Sequence, residues 1–413
     1  MLDIKYIRDN IDIVKENCKN RNVNVNIGRL LELDEERRDF KQQIEALRAE
    51  RNEKSKGKPS DEEITHMREV GDKIKHFEER QNEIETEYND LLLQIPNATH
   101  PDSPIGGEED FVVISEHGKI PDFGFKPKDH EELLTNLNLI DFERGAKVAG
   151  SKFYFVKNDM VRLNQALINY GLDVVGKHGF ELLETPDLAK HEILKGAGFN
   201  PRGEEKQIYN IQDEDLSLVG TAEITVLGYH ADEVLDLSEG PKKYVALSHC
   251  FRTEAGSYGR TSKGLYRVHQ FTKLEMFIFC KPEDSQSLHE ELLNIEKEIC
   301  DGLEIPYRVI DIATGDLGGP AYRKYDLEAH MTMLEGYGEI TSTSNCTDYQ
   351  ARRLNIKHKN EAGKNEYVHT LNGTAVVMSR FPIAIIENNQ QEDGSVTIPK
   401  VLQPYMGGKK VLK

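Results

Sequence analysis

Residues 251–271 read FRTEAGSYGRTSKGLYRVHQF and form a polar stretch between two apolar runs. The runs KYVAL at 243–247 and MFIF at 276–279 predict strands, so the stretch is predicted to be the loop that joins them. Arginine guanidinium groups bind pairs of phosphate oxygens, and glycines let a backbone approach a ligand closely. The spacing alone leaves two interpretations open, a phosphate-binding loop or a polar hairpin held by charge pairs.

Length and composition narrow the class of protein. The chain has 413 residues, which predicts two or more structural units, and its formal net charge of −19 means that any nucleic acid must be bound by a local basic patch. No apolar run approaches the ~18 residues of a membrane-spanning helix. The first residues mix acidic and basic side chains, which is not typical of a signal peptide and favours a cytoplasmic protein.

The five cysteines are scattered and never spaced as C-x-x-C. This pattern predicts single buried thiols, with neither a disulfide framework nor a zinc site. The sequence also contains no G-x-G-x-x-G after a predicted strand and no G-x-x-x-x-G-K-[ST]. A Rossmann or P-loop nucleotide site is therefore not indicated.

Two series of residues repeat every three or four positions between about residues 29 and 95, as in a coiled coil. The first series is Leu30, Leu33, Arg37, Phe40, Ile44 and Leu47, and the second is Met67, Val70, Ile74, Phe77, Gln81, Ile84, Tyr88, Leu91 and Ile95. Pro59 breaks the pattern, and Ser60 with Glu63 forms a capping box that starts a new helix. The segment is predicted to be an antiparallel helical hairpin.

The predicted tip of this hairpin is rich in basic residues, namely Arg48, Arg51, Lys54, Lys56 and Lys58. They form either a solvated face or a surface for phosphate contact. Prolines and glycines from residue 96 onward indicate a linker, so we expect domains at 1–100 and 101–413. Beyond the linker, strand-like runs alternate with helical patterns near residues 158–178, 284–302 and 374–388.

The 251–271 stretch, followed by KLEMF at 273–277, resembles motif 2 of the class II aminoacyl-tRNA synthetases, and specifically of the seryl-tRNA synthetase family. Further segments resemble the same family: LVGTAE at 218–223, YDLE at 325–328, EITSTSNCTD at 339–348, QARR at 350–353, and HTLNGT at 369–374 through Arg380, which resembles motif 3. The hairpin resembles the family's tRNA-binding arm. The resemblance implies an α+β fold, a mixed and mainly antiparallel sheet flanked by helices and preceded by the N-terminal coiled-coil arm.

The resemblance also implies an ATP site. In this family Arg252 would hold the α-phosphate, Glu254 would read the adenine amino group, and Phe271 would stack on adenine against Arg380. Arg252, Glu254 and Arg380 are thus the catalytic candidates, and Glu339 and Ser342 would hold Mg²⁺ with ATP. The full set of ATP candidates is Arg252, Thr253, Glu254, Phe271, Glu339, Ile340, Thr341, Ser342 and Arg380.

The serine site implied by the resemblance uses Thr221 and Glu223 at the ammonium group, Arg252 at the carboxylate, and Glu275 and Thr374 at the hydroxyl, with Asn372 beside them. The implied reaction joins L-serine to ATP as seryl-adenylate and transfers it to tRNA(Ser). Whether tRNA(Sec) is a second acceptor stays open. Neither step needs a protein nucleophile, because positioning and charge stabilisation suffice.

The family's dimer interface would lie near Lys177 to Leu188, which implies a homodimer. Several positions depart from the family pattern: Ile224, Thr225, Ala329, His330, Thr332, Met333, Ala375 and Ser379. None of them removes a charged candidate residue. Two alternatives remain, a paralogue that adenylates serine or another small amino acid for a non-tRNA acceptor, and a silent RNA-binding scaffold.

Overall fold

The structure is a computed structural model, and it describes residues 1–54, 60–199, 207–254 and 263–413. The chain divides into two compact units, Met1–Ala98 and Thr99–Lys413. Within the described ranges, no helix combines the length and the apolar composition needed to cross a bilayer. All five cysteines are buried and carry free thiols.

The first unit is helical and contains α1 (Ile4–Asp9), α2 (Ile11–Asn20), α3 (Ile27–Lys54) and α4 (Asp61–Gln94). The last two helices are antiparallel, since Arg29 forms an ion pair with Glu87 at 2.9 Å while Arg48 pairs with Glu78 at 2.7 Å. The hairpin prediction is confirmed. The capping box also forms, because the Glu63 amide donates to the Ser60 hydroxyl and the Ser60 amide donates to the Glu63 carboxylate.

The predicted hydrophobic series form the contact between the two long helices. Ile44, Val70 and Ile74 make a buried cluster. The Phe77 ring packs edge-on against Phe40, with 5.5 Å between the ring centroids. Near the end of α4 the structure buries Leu92 more fully than the predicted Leu91. Of the basic tip residues, Lys56 and Lys58 lie outside the described residues.

The second unit contains all the strands found among the described residues. They are β1 (Val112–His117), β2 (Ile140–Asp141), β3 (Phe155–Val156), β4 (Glu181–Glu184), β5 (Leu188–Lys190), β6 (Leu216–Leu218), β7 (Val234–Leu235), β8 (Lys242–Phe251), β9 (Gln270–Cys280), β10 (Tyr307–Asp311), β11 (Arg323–Met331), β12 (Gly336–Asn345), β13 (Lys357–Lys359), β14 (Asn365–Tyr367), β15 (His369–Val377), β16 (Val396–Thr397) and β17 (Val411–Leu412). Its helices are α5 (His130–Asn136), α6 (Phe142–Ala149), α7 (Asp159–Gly176), α8 (His191–Ala197), α9 (Ala222–Tyr229), α10 (Ser285–Gly302), α11 (Tyr349–Arg353) and α12 (Arg380–Asn388).

Eight strands form the main sheet in the order β1-β10-β11-β12-β15-β9-β8-β4. Every neighbouring pair is antiparallel except β4 with β8, so the predicted mixed, mainly antiparallel sheet is confirmed. The register sets candidate residues side by side, because Glu275 of β9 faces Thr374 of β15. Cross-strand neighbours on one face lie close enough for direct contact.

The helical pattern proposed for 374–388 is partly wrong. Residues His369–Val377 form strand β15, and the helix begins only at Arg380. Strand β15 is paired on both sides, with β12 and with β9, and its side chains are buried on both faces. The part of the strand inside the predicted helix, TAVV at 374–377, is a short buried run, and its periodicity does not distinguish a strand from the start of a buried helix.

Candidate active site

Two adjoining cavities open on one face of the main sheet. The smaller holds about 470 Å³ and the larger about 960 Å³. Four side chains line both of them: Arg252, Lys273, Glu339 and Thr374. The two cavities are therefore parts of one site with a cationic junction.

Arg252 follows the last residue of β8 and lies at this junction. Its backbone is fixed by His269, whose carbonyl accepts from the Arg252 amide at 3.0 Å. Its Nε donates to the Gly220 carbonyl at 3.3 Å, and its guanidinium carbon Cζ lies 5.3 Å from the centre of the Phe271 ring. The cation is thus held over an aromatic face, where it remains available to an anion in either cavity.

A second cation–aromatic pair lies across the smaller cavity. The Arg380 guanidinium, at the start of α12, is 4.9 Å from the centre of the Tyr266 ring. In the same cavity, Arg267 donates a hydrogen bond to the Glu254 carboxylate at 3.1 Å. Glu254 has a φ of +51°, a left-handed conformation that is uncommon outside glycine and often found at functional sites.

Glu339 joins β12 to the same arginine. Its carboxylate lies 3.0 Å from the Arg380 guanidinium, and its carbonyl accepts from that group at 3.0 Å. Burial disfavours the charged carboxylate, but Arg380 and Lys324 outweigh this effect and lower the pKa of Glu339 to about 2. Glu339 is therefore ionised at neutral pH, with 43% of its side chain exposed to the cavity.

The larger cavity is lined at one end by Glu223 in the first turn of α9. Its carboxylate accepts from Gln350 at 2.6 Å and from Asn372 at 3.2 Å. Burial raises the pKa of Glu223 to about 7, although the hydrogen bond from Gln350 opposes the rise. Thr221 caps the same helix and also lines the cavity. This end of the site offers oxygen acceptors for a cationic group.

The wall shared with β9 and β15 is more deeply buried. Glu275 is only 2% exposed, and it forms an ion pair with Lys273, which is 7% exposed. Burial raises the pKa of Glu275, while Lys273 and a hydrogen bond from Thr374 act in the opposite direction. A buried carboxylate with one cationic partner keeps acceptor capacity for a small hydroxyl ligand.

Ser342 of strand β12 lines the larger cavity. Asp326 of strand β11 lies directly opposite Ser342 in the strand pairing. Burial raises the pKa of Asp326 to about 7, and nearby Lys324 opposes the rise. The Lys324 ammonium lies 3.7 Å from both Asp326 and Asp316. In the described part of the chain, no group of three or more His, Cys, Asp or Glu side chains is arranged around a metal position.

Two ATP candidates, Thr341 and Thr253, line neither of these two cavities. The Thr341 hydroxyl donates to Glu296 of α10 at 2.9 Å, on the opposite face of the sheet. The Thr253 amide donates to the Gln207 carbonyl at 3.1 Å. Ile340 lines the smaller cavity. The other candidates, Thr221, Glu223, Arg252, Glu254, Phe271, Glu275, Glu339, Ser342, Asn372, Thr374 and Arg380, all line one cavity or both.

The sequence reasoning assigned no role to several residues that shape the site. Lys273, Tyr266, Arg267 and Gln350 contact candidate residues directly, Asp326 lies opposite Ser342 on the neighbouring strand, and the charge of Lys324 helps to lower the pKa of Glu339. The first three lie inside the 251–277 stretch that carries the motif 2 resemblance, so their position was a usable signal. Gln350 and Asp326 also lie in segments that carry the resemblance, QARR at 350–353 and YDLE at 325–328, but the contact of Gln350 with Glu223 spans 127 residues and could not be predicted from the sequence.

The departures from the family pattern occupy defined places. Ala375 is fully buried in β15, whereas Ser379 lines the smaller cavity. His330 accepts from Asn388 through its carbonyl at 2.8 Å. Met333 lies in a short 3₁₀ turn, Thr332–Leu334, and its amide donates to Glu387 at 3.0 Å. This turn therefore packs against the C-terminal part of α12.

Comparison with known proteins gives two family matches and several close relatives. Residues 207–389 match the tRNA synthetase class II core domain (G, H, P, S and T), and residues 1–99 match the seryl-tRNA synthetase N-terminal domain. A serine–tRNA ligase of Treponema denticola is 52% identical, with 98% of this chain and 99% of the relative covered. One of Rubrobacter xylanophilus is 50% identical over 98% of each chain.

Solved structures give the same result. The seryl-tRNA synthetase of Pyrococcus horikoshii complexed with ATP is 40% identical, with a TM-score of 0.91 over 100% of this chain and 99% of that one. The cytoplasmic serine–tRNA ligase of Naegleria fowleri in complex with AMP is 34% identical, with a TM-score of 0.87 over 100% of this chain and 99% of that one. The chain therefore belongs to the seryl-tRNA synthetase family and is a class II aminoacyl-tRNA ligase.

Proposed function

We propose that the smaller cavity binds ATP, that the larger cavity binds L-serine, and that the enzyme transfers the activated serine to tRNA(Ser). The observation that carries this assignment is the position of Arg252, which lines both cavities. A cation at that junction would contact the ATP α-phosphate and the serine carboxylate together. Two mutually repelling anions would thereby be held in the orientation that the first step requires.

The chemistry follows from this placement. A serine carboxylate oxygen attacks the α-phosphorus, and the bond to pyrophosphate breaks, giving seryl-adenylate. A terminal ribose hydroxyl of tRNA then attacks the carbonyl carbon, and AMP leaves. Arg252 stabilises the negative charge that develops on the phosphate in the first step. Around the purine, we assign Phe271 and Arg380 to the faces of the ring and Glu254 to its amino group.

We assign the serine ammonium group to Glu223 and Thr221, with Asn372 orienting the Glu223 carboxylate. The serine hydroxyl would contact Glu275 and Thr374. If alanine bound instead, the buried Glu275 carboxylate would receive no hydrogen bond from the ligand. Leaving a buried charged acceptor unsatisfied costs several kcal/mol of binding free energy. Threonine retains the hydroxyl, so the surrounding walls must exclude its extra methyl group by size.

Glu339 and Ser342 fit a Mg²⁺ ion that accompanies ATP. A carboxylate ionised at neutral pH and a hydroxyl are hard oxygen donors; Glu339 lines both cavities and Ser342 lines the larger one, so an ion between them would lie at the junction with the ATP site. Two protein donors suit Mg²⁺, which usually takes its remaining ligands from phosphates and water. When bound, the ion would neutralise charge on the polyphosphate.

The helical arm is proposed to contact tRNA through phosphates. Arg37, Arg38, Lys41 and Arg48 line a groove of about 790 Å³ along α3, together with Glu45 and Glu85. A cluster of cations on one face suits the backbone of a structured RNA better than its base edges. tRNA(Sec) would be a second acceptor wherever it shares the shape of tRNA(Ser).

We also propose a homodimer in the cytoplasm, with no membrane association. The support for the dimer is the exposure of large apolar side chains within the expected interface segment, with Leu182 at 57% and Leu188 at 38%. Exposed large apolar groups often mark a protein interface.

The test is transfer of labelled serine onto unfractionated tRNA with ATP and Mg²⁺, beside threonine, alanine and cysteine. We expect charging with serine alone. Arg252→Ala should abolish serine-dependent pyrophosphate exchange, whereas deletion of about residues 32–93 should spare exchange and weaken charging. Exchange without charging of any tRNA would favour the paralogue that uses another acceptor, and normal exchange by Arg252→Ala would refute the assignment of the junction.

A further inference from the structure

A buried pair, His130 and Glu387, connects the two sides of the smaller cavity. Both side chains are fully buried. The His130 ring donates through Nδ1 to the Glu387 carboxylate at 2.8 Å, and the His130 amide donates to the same oxygen at 2.8 Å. The other carboxylate oxygen accepts from the Met333 amide at 3.0 Å. Glu387 therefore anchors α5 and the 3₁₀ turn to helix α12.

The second ring nitrogen of His130 reaches the segment that returns from the motif 2 loop. The Leu265 amide donates to His130 Nε2 at 3.0 Å. This bond requires an unprotonated Nε2, so the proton of the neutral ring is on Nδ1, where Glu387 accepts it. Donor and acceptor are thus matched at both ends of the ring, and the imidazole bridges α12 to the backbone at Leu265.

The contact is close enough to exclude a side chain at the neighbouring position. Gly264 has a φ of +56°, and a Cβ added there would lie 2.2 Å from His130 Nε2. Beside it, Lys263 pairs with Asp129, the residue before His130. The backbone before the pair is fixed as well, because the Gln390 side chain both donates to and accepts from the Lys128 backbone at 2.9 and 2.8 Å.

The two residues after Leu265 belong to the proposed ATP site. The Tyr266 ring contacts the Arg380 guanidinium, and Arg267 donates a hydrogen bond to the Glu254 carboxylate. Arg380 and Glu387 lie on the same helix. We propose that His130 and Glu387 are positioning residues that fix Tyr266 and Arg267 relative to Arg380 and so set the affinity for ATP. This inference rests on the proposed function.

Two variants of His130 separate this role from a general structural one. His130→Gln keeps an acceptor near the position of Nε2 for the Leu265 amide, whereas His130→Asn keeps a donor near Nδ1 but cannot reach Leu265. We expect His130→Asn to raise KM for ATP about tenfold, as expected for one lost buried hydrogen bond, and His130→Gln to recover most of the loss. KM for serine should stay within about twofold of wild type in both, because no described contact joins the pair to the larger cavity.

The assay is serine-dependent ATP–pyrophosphate exchange by the full chain, with each substrate varied in turn. His230→Asn is the matched control, because His230 is a buried histidine that contacts Glu233 and Tyr244 at 2.7 and 2.9 Å and lines neither cavity. It should leave KM for ATP unchanged. Glu387→Gln, which removes an acceptor from either His130 or Met333, gives an independent test if His130→Asn fails to fold.

Equal increases in both Michaelis constants, or no difference between the Asn and Gln variants, would overturn the proposal. An unchanged KM for ATP in His130→Asn and Glu387→Gln would also overturn it. The proposed function is tested separately, since a wild-type enzyme without serine-dependent exchange would contradict that function before any variant was compared.

Discussion

Replacing Lys273 by methionine tests how the protein holds a carboxylate in its core. Lys273 and Glu275 are 7% and 2% exposed and form an ion pair at the wall shared by the two cavities. Methionine retains most of the volume of the lysine side chain but removes its charge. Glu275 would then be buried without its cationic partner, a change that typically costs about 3–5 kcal/mol.

The expected loss is measurable as a lower melting temperature of the ligand-free protein. The melting temperature of a large domain falls by about 2–4 °C for each kcal/mol of unfolding free energy lost, so the expected decrease is roughly 6–20 °C. Lys243→Met is the control, because Lys243 pairs with Glu291 at 2.7 Å in a more exposed position, with 15% and 29% of the two side chains accessible. That variant should cost about 1 kcal/mol or less.

The loss should also depend on pH. Burial already raises the pKa of Glu275, with Lys273 opposing the rise, so removal of Lys273 raises that pKa further. A folded state that binds the proton more tightly than the unfolded chain loses stability as pH increases from the unfolded value, 4.5, through the folded one. The deficit of Lys273→Met should therefore be smaller at pH 5.5 than at pH 8.

Adding Glu275→Gln to Lys273→Met should recover part of the stability, because no buried charge is then left unpaired. The reasoning would be refuted by a shift no larger than that of Lys243→Met, or by a deficit that decreases as pH rises.

Three further predictions concern separate parts of the molecule. The pKa of Glu223 is raised to about 7, so KM for serine should fall as pH rises through 7, and Glu223→Gln should abolish this dependence in exchange assays. Ser60→Ala removes the capping box at α4 and should cost about 1 kcal/mol, measured by urea unfolding of the arm. Glu339→Gln should weaken Mg²⁺-dependent binding of ATP about tenfold in calorimetry, with little change in binding without Mg²⁺.

Local sequence patterns were enough to predict the helical arm. Its helices depend on residues three or four positions apart, and its start signal, Ser60 with Glu63, is complete within four residues. The pattern missed Asp34, which is buried in α3 and paired with Arg8, Arg37 and Arg38. Since Arg8 belongs to α1, this ion-pair cluster depends on a contact between helices.

Most of the candidate residues taken from the sequence do line the cavities, because motif 2 and motif 3 are contiguous runs. It did not predict the environment of each residue. Thr341 was a candidate for ATP, but the pleat of β12 directs its hydroxyl to Glu296 behind the sheet. In the segment 374–388, burial on both faces concealed the boundary between strand and helix.

The sequence by itself determined the helical arm through its short-range periodicity, and its contiguous motifs, through the family resemblance, indicated the class of the main sheet and the candidate site residues. Only the tertiary structure decided which charges are paired, how far the pKa values of Glu223 and Glu339 move, and how His130 and Glu387 join distant segments. Those properties depend on strand register and on burial, which act between residues as near as Lys273 and Glu275 and as far apart as His130 and Glu387.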